Sequence, residues 1–444
     1  MKRAFSSIRV IALGYAAVVA LGTILLLLPV SSATHASAGV PDALFTAISA
    51  SCVTGLVVRN TATAWSLFGQ AVILVLIQIG GLGFMTIATG FSMLLRRRLG
   101  LRERQIMQES INVDNIGKIA SLTKMILRGT ALCEGCGALL LALRFVPRFG
   151  WKHGVWLSVF HSISAFCNAG FDLLGAQTPY CSFVDYADDA LVSLTLCVLI
   201  TVGGLGFIVW EDLMRYRLRF SRYSLHTKLV LTVSAVLTFG GALLFLLFER
   251  HTTNADVGAK QALLASLFDA VTARTAGFNS VDTASLSSAG KFLTMLLMYI
   301  GGSPGSTAGG IKTTTLAVIA ISTFNGIRRR ESKGVFGRRL ETDALSKAIS
   351  VAFTNLTLAL AGMLFIFALQ PELHFSDVVF EVMSAIGTVG MSTGITRALH
   401  PAARLIIVFL MFCGRVGSVS FALALLEKRA RPAIMNPREK ITLG

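Results

Sequence analysis

Long apolar segments alternate with shorter polar segments along almost the whole chain. An apolar run of about 18 residues is long enough to cross a bilayer as an α-helix. Runs of at least that length include 11–29, 71–95, 191–210, 229–248, 349–369 and 405–426. The pattern therefore predicts an all-α membrane protein with several spans.

The composition and the placement of charge support this prediction. Of all residues, 54% are hydrophobic and only 14% are charged, and the formal net charge of +17 is concentrated in clusters between the apolar runs. Such clusters are typical of cytoplasmic loops that face anionic lipid, so both termini and the loops between repeats are expected on the cytoplasmic side of the cell membrane. No cluster is interleaved with stacking aromatics, so no nucleic acid is expected as a partner. The clusters include Lys2, Arg3, Arg9; Arg96, Arg97, Arg98, Arg102, Arg104; Arg215, Arg217, Arg219, Arg222, Lys228; Arg328, Arg329, Arg330, Lys333, Arg338, Arg339; and Lys428, Arg429, Arg431.

The N-terminus imitates a secretory signal peptide, with a basic start, an apolar run and small residues at Ala36-Ser37-Ala38. The apolar run over 11–29 is longer than the roughly 7–15 residues of a signal-peptide core. It is therefore interpreted as the first spanning helix. The seven cysteines are scattered through apolar segments and predict no disulfide framework.

A short glycine motif occurs four times. Each copy has two small or polar residues, a glycine and then an apolar residue, and the glycines follow at intervals of 115, 107 and 113 residues. A bulky apolar residue stands ten positions before each glycine, at Phe45, Phe160, Leu267 and Phe380. An internal repeat of this length fixes the architecture. The motifs are Cys52-Val53-Thr54-Gly55-Leu56, Cys167-Asn168-Ala169-Gly170-Phe171, Arg274-Thr275-Ala276-Gly277-Phe278 and Gly387-Thr388-Val389-Gly390-Met391.

Each repeat is predicted to contain a spanning helix, a short re-entrant half-helix, the glycine loop and a returning helix. The repeats occupy 1–104, 105–222, 223–340 and 341–444, the last with a cytoplasmic tail. Spanning helices are expected at 8–30, 122–145, 226–249 and 346–369, half-helices at 40–51, 154–166, 260–273 and 376–386, and returning segments at 66–95, 187–213, 288–328 and 402–427. Ser376 is the expected N-cap of the fourth half-helix. The result is eight spans and four half-helices in pseudo-fourfold arrangement around a central cation pore.

The four loops are predicted to line this pore. Non-helical backbone at membrane depth is tolerated only where protein or a water-filled cavity surrounds it. Glycine permits φ > 0 and close approach of the main chain to a ligand, and loop carbonyls can replace the water shell of K⁺. Half-helices would add attraction by directing their negative C-terminal ends at the pore. The alternative, that these glycines only permit close helix packing, is disfavoured by four copies in register. The expected filter residues are Val53, Thr54, Gly55, Asn168, Ala169, Gly170, Thr275, Ala276, Gly277, Thr388, Val389 and Gly390.

A second set of glycines lies in the returning segments, and the third segment differs from the others. Its proline and glycines weaken a helix, and its Ser and Thr side chains compete for backbone hydrogen bonds. We expect this stretch to hang into the pathway as a gate, with a simple kink as the alternative. It is not a phosphate loop, because Ile311 separates Gly310 from Lys312. The stretch is Gly301, Gly302, Ser303, Pro304, Gly305, Ser306, Thr307, Ala308, Gly309 and Gly310, and the other glycines of the set are Gly80, Gly203 and Gly414.

Several charged or reactive side chains lie near these motifs. Arg415 is an ionisable residue within a span, so a functional role with a partner is expected. We expect it to raise a barrier below the filter and to hydrogen-bond the interrupted stretch. Asp172 is expected to attract cations at the outer mouth, and His161 to be a satisfied half-helix residue rather than a metal ligand. Arg274 is expected to point away from the pore, to a carboxylate such as Asp269 or Glu381.

These motifs resemble the KtrB family, the ion-conducting membrane subunits of bacterial Ktr potassium-uptake systems, within the Trk/Ktr/HKT superfamily. The resemblance covers nearly the whole chain and rests on the four glycines, on 301–310 with Lys312-Thr313-Thr314-Thr315, and on Arg415. It implies potassium uptake that sodium stimulates, with K⁺ as the transported ion and no organic cofactor. It also implies a homodimer on an octameric cytoplasmic ring of KtrA-type subunits that bind ATP and ADP. The basic loops would contact the ring, and the C-terminal tail would contribute to the dimer.

Three other functions compete with this interpretation. A Trk-type or sodium-permeable relative is the nearest alternative. A secondary transporter of a small solute is disfavoured, because such folds usually show inverted repeats. A redox enzyme could use Cys133-x-x-Cys136, but beside Gly135 and Gly137 on a spanning helix this spacing indicates small-residue packing instead. No enzymatic activity is expected.

Overall fold

The structure, a computed structural model, describes residues 7–95, 119–176, 178–217, 219–328, 335–341 and 343–417. The predictions for the basic residues at 96–104, 329–333 and 428–431 and for the C-terminal tail lie outside the described residues. We name the end of the molecule at which the basic segments are expected the inner end, and the opposite end the outer end.

The described chain is helical and divides into four quarters of similar order. The first quarter contains α1 (Ser7–Leu27), α2 (Val40–Ser51), α3 (Thr61–Ala64), α4 (Leu67–Leu82) and α5 (Phe84–Leu94). The second contains α6 (Ile119–Phe149), α7 (Trp151–Phe166), α8 (Ala190–Gly204) and α9 (Phe207–Tyr216). The third contains α10 (Leu225–Phe248), α11 (Ala259–Thr272), α12 (Ser288–Tyr299) and α13 (Thr313–Ile327). The fourth contains α14 (Ala344–Leu369), α15 (Phe375–Gly387) and α16 (Pro401–Val416).

The first helix of each quarter lies on the outside of the molecule. α1, α6, α10 and α14 are each long and apolar enough to span a membrane, yet only 22–33% of their most apolar windows is buried. Leucine and phenylalanine side chains cover the exposed remainder. An apolar surface of this kind is expected to contact lipid rather than water.

The second helix of each quarter is short and buried. α2, α7, α11 and α15 have 12, 16, 14 and 13 residues, and at about 1.5 Å per residue none reaches across a hydrocarbon core of about 30 Å. In each, a phenylalanine nine or ten residues before the motif glycine is almost completely buried: Phe45, Phe160, Phe268 and Phe380. In the third quarter Leu267 stands ten residues before its glycine, but the buried ring belongs to the next residue. Phe268 lies nine residues before Gly277, one fewer than the distance between phenylalanine and glycine in the other three quarters.

The start of α2 follows the known residue preferences of helix N-termini, whereas the start of α15 differs from its prediction. Pro41 lies in the first turn of α2, and Asp42 stands beside the positive end of the helix dipole. The predicted N-cap of α15 was wrong. The helix begins at Phe375 after His374, whose backbone is extended, and Ser376 already lies inside the first turn.

The returning segments are less regular than the sequence suggests. The apolar runs 71–95 and 191–210 could each form one continuous helix, but the chain turns by 96° between α4 and α5 and by 98° between α8 and α9. Gly83 and Gly206 make these turns at φ +83° and +94°, outside the α-helical region. In the third quarter the predicted interruption is confirmed, since 300–312 separates α12 from α13.

Packing joins the quarters into a closed arrangement. One buried cluster joins the first two quarters and reaches Phe268 and Phe278 of the third. A second cluster joins the first quarter to the fourth, and a smaller one joins the third to the fourth. Each quarter therefore packs against two neighbours, and the four glycine loops meet in the middle.

Candidate ion pathway

The four motif glycines form a ring. A Cβ atom added to Gly55 would lie 3.1 Å from the Cα of Gly170, and one on Gly170 would lie 3.0 Å from the Cα of Gly277. A Cβ on Gly277 would lie 3.2 Å from the Cα of Gly390, and one on Gly390 would lie 3.0 Å from the Cα of Gly55. No side chain fits between neighbours at this spacing, so the ring requires glycine at all four positions.

The backbone of each loop takes the same unusual form. The ring glycines have φ of +92°, +68°, +82° and +99°. The residue two positions before each glycine also has positive φ, which non-glycine residues rarely adopt. These residues are Val53 (+56°), Asn168 (+59°), Thr275 (+78°) and Thr388 (+52°). Repeated strain at one position in all four loops indicates a conformation that the surrounding structure enforces.

Main-chain carbonyls line the ring. The carbonyl oxygen of the residue before each glycine is the atom that a Cβ on the neighbouring glycine would strike. The short helices end immediately before the loops, with Cys52, Cys167, Ala273 and Thr388 as C-caps. Their negative dipole ends therefore point at the ring, as the sequence predicted. Such a ring offers oxygen ligands suited to a monovalent cation. The lining carbonyls belong to Thr54, Ala169, Ala276 and Val389.

A polar cavity opens on the outer side of the ring. Its volume is about 270 Å³, and all four ring glycines line it. Asp172 and Asp282 also line the cavity, which agrees with the expectation that Asp172 faces the outer mouth. At the rim the guanidinium of Arg397 stacks 3.9 Å from the ring centre of Tyr180. Two carboxylates beside a carbonyl ring favour the approach of cations.

Arg274 points away from the ring, but the partners predicted for it were wrong. Its guanidinium donates to the Ser234 carbonyl (3.3 Å), the Ser234 hydroxyl (3.1 Å) and the Thr238 hydroxyl (3.0 Å), all on α10. Glu381 instead accepts hydrogen bonds from Ser392 and Thr396. The guanidinium is therefore held behind the third glycine loop by neutral oxygens.

The interrupted segment 301–310 lies directly on the inner side of the ring. The two ends of the segment are joined by a β-bridge between Ile300 and Ile311, with a 2.8 Å hydrogen bond from Gly301 N to Ile311 O. A Cβ on Gly301 would lie 3.1 Å from the Thr275 methyl carbon, and one on Gly309 would strike the Thr388 side chain. The segment therefore touches the third and fourth glycine loops.

The same segment is also bonded to the second quarter. Thr307 donates through its hydroxyl to Phe166 O (3.1 Å), at the end of α7. Ser303 N donates to Gly204 O (3.0 Å), and Phe207 N, just after the bend at Gly206, donates to Gly305 O (2.8 Å). The bend in the second returning segment thus supplies a surface on which 301–310 rests.

Two basic side chains, Arg415 and Lys312, donate hydrogen bonds to the segment. Arg415 donates to the carbonyl of Thr307 and to the carbonyls of Gly80 and Gly81 on α4. The expected bond between Arg415 and the interrupted stretch is therefore present. Lys312, which follows the interrupted stretch in the sequence motif, donates to Ala308 O (2.7 Å) and Gly309 O (3.3 Å). No separate role was predicted for this side chain, although a basic residue inside an apolar segment is itself a signal of function.

The second set of glycines permits close packing of the returning helices on the short helices. In three quarters a Cβ at these glycines would strike the carbonyl oxygen of the last or next-to-last residue of the short helix. Here the close-packing interpretation applies. The contacts are Gly80 with Ser51, Gly203 with Phe166 and Gly414 with Ile386.

The remaining candidates have structural partners. Both ring nitrogens of His161 are bonded, Nδ1 to Leu157 O (2.7 Å) and Nε2 to Leu173 N (3.1 Å). Within the described residues, no three His, Cys, Asp or Glu side chains form a group that could hold a metal ion. Cys133 and Cys136 are both free thiols. Between them, Glu134 accepts bonds of 3.0 and 3.3 Å from Gln78 on α4.

An apolar helical frame around a buried main-chain ring defines an integral membrane protein. Comparison with known proteins gives its class. The TrkH family, described as "Cation transport protein", matches residues 11–432. The chain is 40% identical to the potassium/sodium uptake protein NtpJ of Enterococcus hirae, covering 100% of this chain and 98% of that protein. It is also 40% identical to the Ktr system potassium uptake protein B of Bacillus subtilis, covering 99% and 97%.

The structural comparison agrees. The potassium transporter TrkH from Vibrio parahaemolyticus matches with a TM-score of 0.73 over 96% of this chain and 86% of that chain, at 17% sequence identity. At that identity the likeness shows the shared fold. The chain belongs to the TrkH/Ktr family of cation transport proteins, a family of transporters and not of enzymes.

Proposed function

We propose that this protein takes up potassium ions across the cell membrane through the ring formed by Gly55, Gly170, Gly277 and Gly390. The observation that carries the proposal is the closed ring itself. Four loops from four quarters present carbonyl oxygens to one axis, and a polar cavity leads to them from one side. The sequence relatives named as potassium uptake proteins support K⁺ as the ion.

Sodium permeation is the second candidate, and one observation favours it. A relative with 40% identity is named a potassium/sodium uptake protein. A ring with one glycine per loop offers few stacked carbonyl layers, so the discrimination between K⁺ and Na⁺ rests on how firmly those layers are held. We propose K⁺ as the principal ion, with some Na⁺ admitted and with Na⁺ as a stimulating ion.

We propose that 301–310 is the gate and that the structure represents its closed state. The segment touches the ring from the inner side and is bonded to the second quarter. Arg415 and Lys312 donate hydrogen bonds to its carbonyls. An ion that leaves the ring inward would meet this segment and the guanidinium of Arg415, so conduction requires the segment to move.

The membrane arrangement follows the same proposal. The four quarters act as pseudo-symmetric repeats with eight spans and four half-helices, and both termini are cytoplasmic. Two copies form a homodimer on a cytoplasmic nucleotide-binding ring of KtrA type. The Bacillus subtilis relative is named as protein B of a Ktr system, which supports a multi-subunit assembly.

The proposal is tested by rubidium flux into proteoliposomes that contain Gly277→Ser. A Cβ at Gly277 would strike Val389 O, and the backbone there has φ +82°. We expect flux to fall at least about tenfold, the factor that corresponds to ~1.4 kcal/mol. The matched control is Gly240→Ser, because nothing lies within 4 Å of a Cβ at that position on α10.

The outcome separates the candidate functions. Wild-type flux that K⁺ blocks, with loss only in folded Gly277→Ser, supports conduction through the ring. Equal block by Na⁺ and K⁺ favours the sodium-permeable alternative. Equal flux through wild type and folded Gly277→Ser would reject the ring as the pathway.

A further inference from the structure

A hydroxyl-bearing residue occupies the same place in all four short helices. It stands four positions after the buried phenylalanine and five or six positions before the ring glycine. Each of these residues has no exposed surface, although each carries a polar group. They are Ser49, Ser164, Thr272 and Ser384. A polar group is costly to bury unless it forms hydrogen bonds, so the partners of these hydroxyls reveal their role.

The main-chain carbonyl of each of these residues holds the residue before the ring glycine. That residue donates its N–H back to the short helix at 2.8–2.9 Å in every quarter. This is the residue whose own carbonyl lines the ring. The bonds run from Thr54 to Ser49, from Ala169 to Ser164, from Ala276 to Thr272 and from Val389 to Ser384.

The hydroxyl of the same residue holds the other side of the ring. In three quarters it donates to the carbonyl of the residue after the glycine: Ser49 to Leu56 (2.7 Å), Ser164 to Phe171 (2.8 Å) and Thr272 to Phe278 (2.7 Å). The Ser49 and Ser384 hydroxyls also accept from the N–H of the ring glycine itself, Gly55 (3.1 Å) and Gly390 (3.0 Å).

The two bonds together fix the carbonyls around the glycine. A carbonyl that accepts from a buried hydroxyl is turned into the protein and away from the ion path. The carbonyl of the residue before the glycine faces the axis. The hydrogen bond that the N–H of this same residue donates to the short helix holds it in place. A ring braced in this way resists closing onto an ion smaller than K⁺, because contraction would stretch bonds in every quarter. An unmade bond in this buried place would cost more than a typical bond contributes.

We propose that Ser49, Ser164, Thr272 and Ser384 are positioning residues that set the preference of the ring for K⁺ over Na⁺. This rests on the proposed function of the ring as the potassium pathway. The four hydroxyls touch the loop backbone and not the ion. Removal of one hydroxyl therefore changes selectivity more than it changes the amount of folded protein.

Thr272 offers a matched pair of substitutions. Thr272→Val keeps the shape of the side chain and removes the hydroxyl, whereas Thr272→Ser keeps the hydroxyl and removes a methyl group. Rubidium flux into proteoliposomes is measured with K⁺ or Na⁺ as competitor, and the ratio of half-blocking concentrations reports the preference. We expect Thr272→Val to lower the K⁺ preference about fivefold, the factor for one hydrogen bond, and Thr272→Ser to retain it.

A second pair tests the same idea on another helix. Ser164→Ala removes a brace, whereas Ser158→Ala removes a buried hydroxyl on the same helix that donates to Gly154 of its own turn (2.7 Å). We expect only Ser164→Ala to lower the ratio. If Thr272→Val is not recovered folded, this pair decides.

The outcomes distinguish this inference from the proposed function. A wild-type ratio in folded Thr272→Val or, where that is not recovered, in folded Ser164→Ala would overturn the inference and leave the potassium pathway standing. An equal loss in Ser158→Ala would also overturn it, because the effect would then be general. Wild-type flux that K⁺ does not block would instead reject the proposed function.

Discussion

The outer and inner halves of the pathway differ in how alike the four quarters are. On the outer side each quarter supplies a buried phenylalanine, a buried hydroxyl and a glycine with positive φ. On the inner side the quarters are less alike, and three different features occur among the four. The first two quarters bend at Gly83 and Gly206, the third is interrupted at 301–310, and the fourth places Arg415 against the interruption.

This difference follows from what each half is proposed to do. A dehydrated cation needs oxygen ligands from all sides, so similar loops are favoured around it. Opening and closing needs only one element with two arrangements, and the remaining quarters can serve as its supports. The comparison predicts that changes on the inner side alter how much ion passes, whereas changes to the hydroxyls that hold the ring alter which ion passes.

Deletion of 305–309 should have the largest effect on the inner side. The deletion removes Thr307, which is hydrogen-bonded to Phe166 and Arg415. The β-bridge between Ile300 and Ile311 can still form. We expect rubidium flux in the absence of regulatory subunits to rise at least about tenfold, the factor for ~1.4 kcal/mol. The K⁺/Na⁺ block ratio should stay at its wild-type value. Unchanged or lower flux in folded protein would argue against a gate.

Arg415→Gln should have an intermediate effect in the same direction. The substitution removes charged donors to the carbonyls of Thr307, Gly80 and Gly81 but leaves Lys312 in place. We expect flux to rise about fivefold, as for the loss of a single hydrogen bond.

The control for Arg415→Gln is Arg328→Gln. Arg328 stacks on Phe324 at 4.2 Å near the end of α13, and its replacement should leave flux unchanged. If Arg415→Gln behaves like this control, the segment holds itself closed without the guanidinium.

The outer half was largely predictable from the sequence, because its rules are local. The glycine motifs, the lengths of the short helices and the start of α2 at Val40 follow from chain order and end preferences. Counting back ten residues from each glycine gives Leu267 instead of Phe268 in the third quarter, and the N-cap of α15 is His374 rather than the predicted Ser376. Counting from the shared Phe-x-x-x-Ser/Thr spacing would have placed all four helices in register and would also have revealed the four hydroxyls.

The inner half was less predictable, because its geometry depends on distant partners. Gly206 destabilises a helix by about 1 kcal/mol relative to alanine. This value marks a weak point in the predicted helix but does not predict a bend of 98°. The bend is held in part by the bond from Phe207 to Gly305, nearly a hundred residues away. Arg274 illustrates the same limit, since its partners Ser234 and Thr238 are ordinary residues on α10 with no sequence signal of their role.

Asp42→Asn, a change at the periphery of the outer half, should have the smallest effect. Asp42 pairs with Arg59 (2.5 Å) beside its own loop and with Arg404 (3.4 Å) at the start of α16, so it ties the first quarter to the fourth. The three side chains are 20–41% exposed, and ion pairs of this kind contribute about 1 kcal/mol or less. We expect the melting temperature of the solubilised protein to fall by no more than about 2 °C, with the K⁺/Na⁺ block ratio unchanged.

The control for Asp42→Asn is Glu341→Gln, because the Glu341–Lys347 pair (3.5 Å) is 67–73% exposed and should contribute nothing measurable. Asp42 also stands in the first turn of α2, so part of any loss comes from the helix dipole. A double substitution with Arg404→Gln separates the two contributions, since only the ion pair couples these residues. If Asp42→Asn lowers the K⁺/Na⁺ block ratio as much as Thr272→Val, the ring depends on the ion pairs between quarters as well as on the four hydroxyls. The outer half would then be one cooperative unit rather than four separately braced loops.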